Sequence, residues 1–178
     1  METETRRTAI LGLGSVLMGD DAAGPHVLHR LEAEYELPPG IELLDLGTPG
    51  PELAHVVEGL DALIVIDTIK APGDPGDLHL LRREEILGGQ GAPDRLSPHD
   101  PSLRGALVAA SLLGRSPEDV LLIGIVPGDN HLGIGLSPGV RASLWGATAL
   151  VAAELERLGY GVPRRKEQAK GETWWERE

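Results

Sequence analysis

The sequence predicts an α/β fold in three layers, in which a mostly parallel, twisted sheet is covered by helices on both faces. Short apolar runs alternate with segments of helical periodicity along the chain. This β-α-β-α-β order implies right-handed crossover connections between parallel strands. The third apolar run, ALIVID at 62–67, carries β-branched residues on both faces, as expected of a strand buried on both sides.

Five apolar runs have the length of strands. They are TAILGL at 8–13, IELLDL at 41–46, ALIVID at 62–67, LHLL at 78–81 and VLLIGIV at 120–126. The fourth run is short and follows a turn rich in proline and glycine, so we expect an edge strand there. Residues 82–100 show no clear period, and so long an irregular segment in a compact domain indicates a functional loop.

Four segments have the pattern of helices. Residues 20–35 place Val27, Leu31 and other apolar side chains on one side, and residues 51–60 begin with a proline suited to a first helical turn. A third helix is predicted at about 101–113. The fourth opens at Ser137-Pro138 and runs to about residue 158.

The length of the chain, 178 residues, fits one domain. Since neither a linker nor an internal repeat interrupts residues 1–159, we expect them to form a single α/β domain. Residues 160–178 show little periodicity, and we expect them to be a flexible C-terminal tail.

The composition excludes several classes of function. The chain has no cysteine, which rules out disulfides, thiolate nucleophiles and cysteine-based metal sites. Its net charge of −12 argues against a nucleic-acid partner, because phosphates would be repelled. No apolar run approaches the roughly 20 residues of a membrane helix, and the charged N-terminus is unlike a signal peptide, so we expect a cytoplasmic protein away from membranes.

The stretch GLGSVLMGDDAAGP after the first strand resembles a phosphate-binding loop at its start but departs from it twice. Gly12 and Gly14 are not followed by the third glycine that a dinucleotide fingerprint requires. Asp20 and Asp21 place two negative charges at the start of the following helix, where such a loop would hold an anion. A dinucleotide site is therefore disfavoured.

A site for a cation explains the acidic residues better. Asp20 and Asp21 follow the first strand, Asp67 ends the third, and His99 lies in a loop expected to return over the same edge of the sheet. Carboxylates and an imidazole together suit a divalent metal such as zinc, nickel or manganese. Taken singly, each acid is also explained as a helix cap or a turn former. The choice between Asp20 and Asp21 stays open on this reasoning.

Five segments, in order, resemble the hallmark sequences of the hydrogenase maturation proteases, which trim the C-terminal extension from [NiFe]-hydrogenase large-subunit precursors. They are LGLGSVLMGDDAAGPHVLHRLE, DLGTPGPEL, LIVIDTIKAPGDPGDLHLL, SPHD and GIVPGDNHLGIGLSPGVRASL. The sequence departs from the family pattern at Ser15, where asparagine is usual, and at Ala22, where glycine is frequent.

The resemblance implies a phosphorylase/hydrolase-like α/β/α sandwich and a peptidase site made of Asp21, Asp67 and His99. It assigns these three residues both to catalysis and to binding a divalent metal, namely nickel carried by the substrate. The implied partner is the large-subunit precursor. Two alternatives remain: a metal-dependent hydrolase of the same fold acting on another peptide or amide, and a non-catalytic module that senses nickel.

Overall fold

A single five-stranded sheet organises the computed structural model, which describes residues 6–88, 100–128 and 130–166, with the backbone alone at 100–102. The strands are β1 (Thr8–Leu13), β2 (Ile41–Gly47), β3 (Ala62–Thr68), β4 (Leu78–Arg82) and β5 (Asp119–Ile125). They lie in the order β2-β1-β3-β5-β4, with β4 antiparallel to β5 and the other neighbours parallel. The predicted mostly parallel sheet, with residues 78–81 at its edge, is confirmed.

Five helices lie between or after the strands in the described part of the chain. They are α1 (Ala23–Glu34), α2 (Leu53–Val57), α3 (Arg83–Ile86), α4 (Asp100–Leu112) and α5 (Pro138–Arg157), and a 3₁₀ turn (Gly19–Ala22) precedes α1. As predicted, α5 begins at Pro138, and the Ser137 side chain accepts a hydrogen bond from a backbone N–H of its first turn. Within the ranges described, none of these helices combines the length and the hydropathy needed to cross a membrane.

Two predicted segments differ in detail from the structure. The segment 82–100, predicted to be irregular, starts with the last residue of β4 and continues into the short helix α3. The Arg82 N–H donates to the Glu85 side chain at 2.7 Å and so caps this helix. The helix predicted at 51–60 is shorter, because Gly59 takes a φ of +75° just beyond its end.

The helices cover both faces of the sheet and bury two separate apolar clusters. On one face α1 and α5 pack together over alternate residues of the strands, among them Ile10, Ile64 and Ile123. On the other face α2 and α4 cover the intervening residues, such as Leu11 and Val65. This alternation makes the fold a three-layer α/β/α sandwich, as the sequence predicts.

Gly24 brings α1 close to the two central strands. A Cβ atom there would lie 2.3 Å from the Leu13 carbonyl oxygen and 2.8 Å from that of Ile66, so no larger residue fits at this contact. Because β1 and β3 are parallel neighbours, their carboxyl ends lie side by side beneath the start of α1. The 3₁₀ turn that carries the two adjacent acids is thereby held over the carboxyl ends of β1 and β3.

Part of the predicted C-terminal tail packs against α1. The Glu36 N–H donates to the Pro163 carbonyl at 2.9 Å, the Arg165 N–H donates to the Glu34 carbonyl at 2.7 Å, and Val162 is buried. Residues 167–178 lie outside the described residues. The division into a domain at 1–159 and a tail at 160–178 therefore stays a prediction.

Candidate active site

The loop after β1 folds back on itself so that Gly14 and Asp21 are in contact. Gly14 has a φ of +112°, and its N–H donates to the Gly47 carbonyl of β2 at 2.7 Å. The next N–H, that of Ser15, donates to Oδ2 of Asp21 at 2.7 Å. The loop backbone therefore fixes one oxygen of this carboxylate directly above the end of β1.

Asp21 and Asp67 both contact Thr68, the last residue of β3. The Thr68 hydroxyl donates to Oδ1 of Asp21 at 3.4 Å, and the Thr68 N–H donates to Oδ1 of Asp67 at 2.8 Å. The two carboxylates are almost fully enclosed, with 8% and 2% of their residues' surface exposed. The structure thus places Asp21 in contact with the residue that follows Asp67, at the carboxyl end of β3 where the strand order predicts these acids.

Asp20 has a different environment from its neighbour. It has no exposed surface, its Oδ2 accepts the Gly128 N–H at 2.7 Å, and its Oδ1 accepts the Ser137 N–H at 2.6 Å. Both oxygens therefore hold the loop that leads from β5 to α5. This role of Asp20 was missed by the sequence analysis, because its partners lie more than 100 positions further along the chain.

His99, the third residue of the implied set, lies outside the described residues. Within residues 6–88, 100–128 and 130–166, no group of three or more His, Asp or Glu side chains is arranged to hold a metal ion. Asp21 and Asp67 supply two oxygen-donor groups, and oxygen donors combined with one imidazole suit a divalent first-row metal. The described residues therefore fit part of the donor set that such a site would need, and they do not include the implied imidazole.

A cavity of about 720 Å³ lies at the amino ends of the strands, opposite the candidate active site. It is lined by residues that precede the strands, including Arg7, Asp61 and Glu118. Ligand sites of open parallel sheets lie at the carboxyl ends of the strands, not at the amino ends. The convergence of Asp21 and Asp67, rather than cavity size, therefore locates the candidate active site.

The sequence resembles known hydrogenase maturation proteases over most of its length. The family profile described as hydrogenase maturation protease matches residues 25–154. The hydrogenase 2 maturation protease of Escherichia coli K12 is 35% identical over 160 residues, which cover 89% of this chain and 96% of that protein. The hydrogenase expression/formation protein HupD of Bradyrhizobium diazoefficiens is 34% identical over 164 residues, covering 92% and 85% of the two chains.

Solved structures give the same result for the fold. The hydrogenase-maturating endopeptidase HybD of Escherichia coli superposes with a TM-score of 0.81 at 34% identity, covering 89% of this chain and 98% of that one. The [NiFe]-hydrogenase maturation protease HybD of Thermococcus kodakarensis gives a TM-score of 0.67 at 29% identity, covering 86% and 99%. By sequence and by fold, this chain belongs to the hydrogenase maturation protease family and is a peptidase.

Proposed function

We propose that this peptidase removes the C-terminal extension of a [NiFe]-hydrogenase large-subunit precursor in the cytoplasm, after nickel has been inserted. The observation that carries the proposal is the meeting of Asp21 and Asp67 at Thr68, in a chain whose relatives are named as hydrogenase maturation proteases. Nickel enters this site as part of the substrate. Asp21, Asp67 and His99 are the residues proposed to bind it.

Hydrogen bonds hold both aspartates, and Thr68 takes part in each set. Asp21 is held by the Ser15 N–H and the Thr68 hydroxyl, and Asp67 by the Thr68 N–H. Such hydrogen bonds hold the carboxylates in place before the substrate arrives, which lowers the cost of binding a cation. A divalent ion bound there polarises the scissile carbonyl or makes an attacking water more acidic.

The charge of the chain agrees with a substrate that carries a cation. The net charge is −12, and the two site carboxylates are enclosed with little surface left to water. Enclosed negative charges with low-dielectric surroundings attract positively charged groups. The same field disfavours nucleic acids as partners.

The test is an assay of precursor processing. The full chain is incubated with nickel-loaded and with nickel-free large-subunit precursor, and the length of the product is read by mass spectrometry. We expect the nickel-loaded precursor alone to be shortened. Cleavage of neither form would contradict this substrate assignment, and equal cleavage of both would contradict the recognition of nickel.

A pair of charge-removing variants connects the assay to the site. Asp21→Asn removes one carboxylate of the site, whereas Glu32→Gln removes an exposed carboxylate on α1. We expect processing to be lost in the first variant and unchanged in the second. Equal processing by both variants would show that the carboxylate of Asp21 is not part of the active site.

A further inference from the structure

Four apolar side chains are exposed together beside the candidate active site. They are Leu17 and Met18, from the loop after β1, and Leu132 and Ile134, from the loop before α5, and we call them the apolar rim. Their exposed fractions range from 37% at Met18 to 80% at Leu132. Exposed apolar side chains are common singly, whereas a contiguous group on a monomer marks an interaction surface.

Backbone hydrogen bonds hold the two loops of the rim together. The Gly133 N–H donates to the Leu17 carbonyl at 2.9 Å, and the Gly19 N–H donates to the Gly133 carbonyl at 2.9 Å. These bonds make Met18 and Gly133 a parallel bridge outside the main sheet. The rim is therefore a defined surface formed by paired backbone rather than by two independent loop tips.

Asp20 fixes the position of the apolar rim relative to the candidate active site. Its carboxylate accepts the N–H groups of Gly128 and Ser137, which flank the segment that carries Leu132 and Ile134. On the other loop, the Asp21 N–H donates to the Met18 carbonyl at 3.1 Å. The rim is thus continuous with the 3₁₀ turn that positions Asp21.

We propose that the apolar rim binds an apolar, extended segment of the precursor polypeptide next to the bond that is cut. This inference rests on the proposed function and deepens it, because it assigns a docking surface and the chemistry of the segment that covers it. The four rim side chains are uncharged, so the segment is recognised by burial of apolar surface. The adjacent carboxylates remain available for the cation.

Charge favours the precursor over other occupants of the rim. A second copy of this chain also carries a net charge of −12, and like charges oppose association. Nucleic acids and anionic membranes are repelled for the same reason. A polypeptide segment with apolar side chains brings no negative charge of its own to the rim, and the proposed substrate carries a cation to the adjacent site.

The experiment compares three serine variants of the full chain. Leu132→Ser and Ile134→Ser remove rim side chains, and Leu112→Ser removes an 84% exposed leucine at the end of α4 as the matched control. For nickel-loaded precursor, we expect KM to rise about tenfold in each rim variant, with kcat within about twofold of wild type. The control is expected to match wild type, and all three are expected to keep the wild-type Tm because the removed groups are exposed.

Each outcome decides the proposal. An unchanged KM in both rim variants, or an equal rise in the control, overturns it. The dissociation constant for the precursor separates docking from cleavage. If wild type binds the precursor without cutting it, and the rim variants bind about tenfold more weakly, the docking proposal is supported although the proposed function fails. Wild type that neither binds nor cuts overturns both. If wild type is a dimer in solution and Leu132→Ser dissociates that dimer, a second copy of the chain occupies the rim. This result also overturns the proposal.

Discussion

A Cβ atom added to Gly14 would lie 1.8 Å from the carbonyl oxygen of Asp21, which is shorter than any non-bonded contact. Gly14 also has a φ of +112°, where side chains are strained. We therefore expect Gly14→Ala to displace the turn that carries Asp21 and to lower the free energy of unfolding by about 3 kcal/mol. Urea denaturation measures this loss.

Gly135 is the control for the conformational part of this effect. Its φ is +111°, but a Cβ atom there would meet nothing within 4 Å. Gly135→Ala is expected to cost about 1 kcal/mol, which is the strain of a positive φ alone. Equal losses in the two variants would show that the contact with Asp21 contributes nothing.

Asparagine substitutions separate the roles of the two adjacent acids. In Asp20→Asn, the amide NH₂ faces a backbone N–H and one buried hydrogen bond is lost, so we expect the free energy of unfolding to fall by about 2 kcal/mol. In Asp21→Asn, the remaining oxygen still accepts the Ser15 N–H, and the NH₂ can donate to the Thr68 hydroxyl. The second variant should therefore stay folded and lose processing.

Thermal melts and the precursor assay, run on both variants, check this pair of expectations. Loss of stability in the Asp21 variant, together with a stable Asp20 variant, would reverse the assignment of structural and functional roles. The reversed result would also show that the hydrogen bonds of Asp20 are not needed to hold the apolar rim in place.

His99 is proposed as a metal ligand, and its substitution tests that proposal directly. Calorimetric titration of the full chain with Ni²⁺ is expected to show about tenfold weaker binding in His99→Ala than in wild type, because one imidazole nitrogen donor is lost. His55→Ala removes an exposed imidazole on α2 and should bind Ni²⁺ as wild type does. Wild-type affinity in the His99 variant would assign the third donor to another residue.

An ion-pair network at Glu154 predicts a specific loss of stability in acid. Burial opposes ionisation of Glu154, but hydrogen bonds from Arg82 and Arg157 outweigh it and lower the pKa of the carboxyl to about 2. A lowered pKa means that the network stabilises the fold above pH 4.5. This stabilisation is lost progressively as the pH falls from 4.5 toward 2.

Glu154→Gln is the variant that tests the network. We expect its Tm at neutral pH to be about 6 °C lower than that of wild type, and the difference to shrink below pH 4. Glu156→Gln changes an exposed neighbour on the same helix and should leave the Tm unchanged at every pH. A Tm difference that is independent of pH would exclude the charge of Glu154 as the cause.

Local patterns in the sequence were sufficient to predict most of the fold. Residues 8–13 form β1 with the predicted bounds, since an apolar run of that length flanked by polar residues has few other structures available. The start of α5 at Ser137-Pro138 was predicted because capping and proline geometry act within one helical turn. The helix at Arg83–Ile86 was missed, because a four-residue helix is too short to show a period.

The sequence by itself determined the fold class, the edge of the sheet where the acids gather and the family, because each of these is encoded in short segments and their order. Charge and position alone did not separate Asp20 from Asp21, which are identical side chains at adjacent positions, and only the family resemblance favoured Asp21. Tertiary structure separated them: Asp20 is bound by amides of a loop more than 100 residues away, whereas Asp21 contacts Thr68 of a neighbouring strand. Hydrogen-bond partners so distant in sequence are set by the packing of the whole chain, and no local pattern records them.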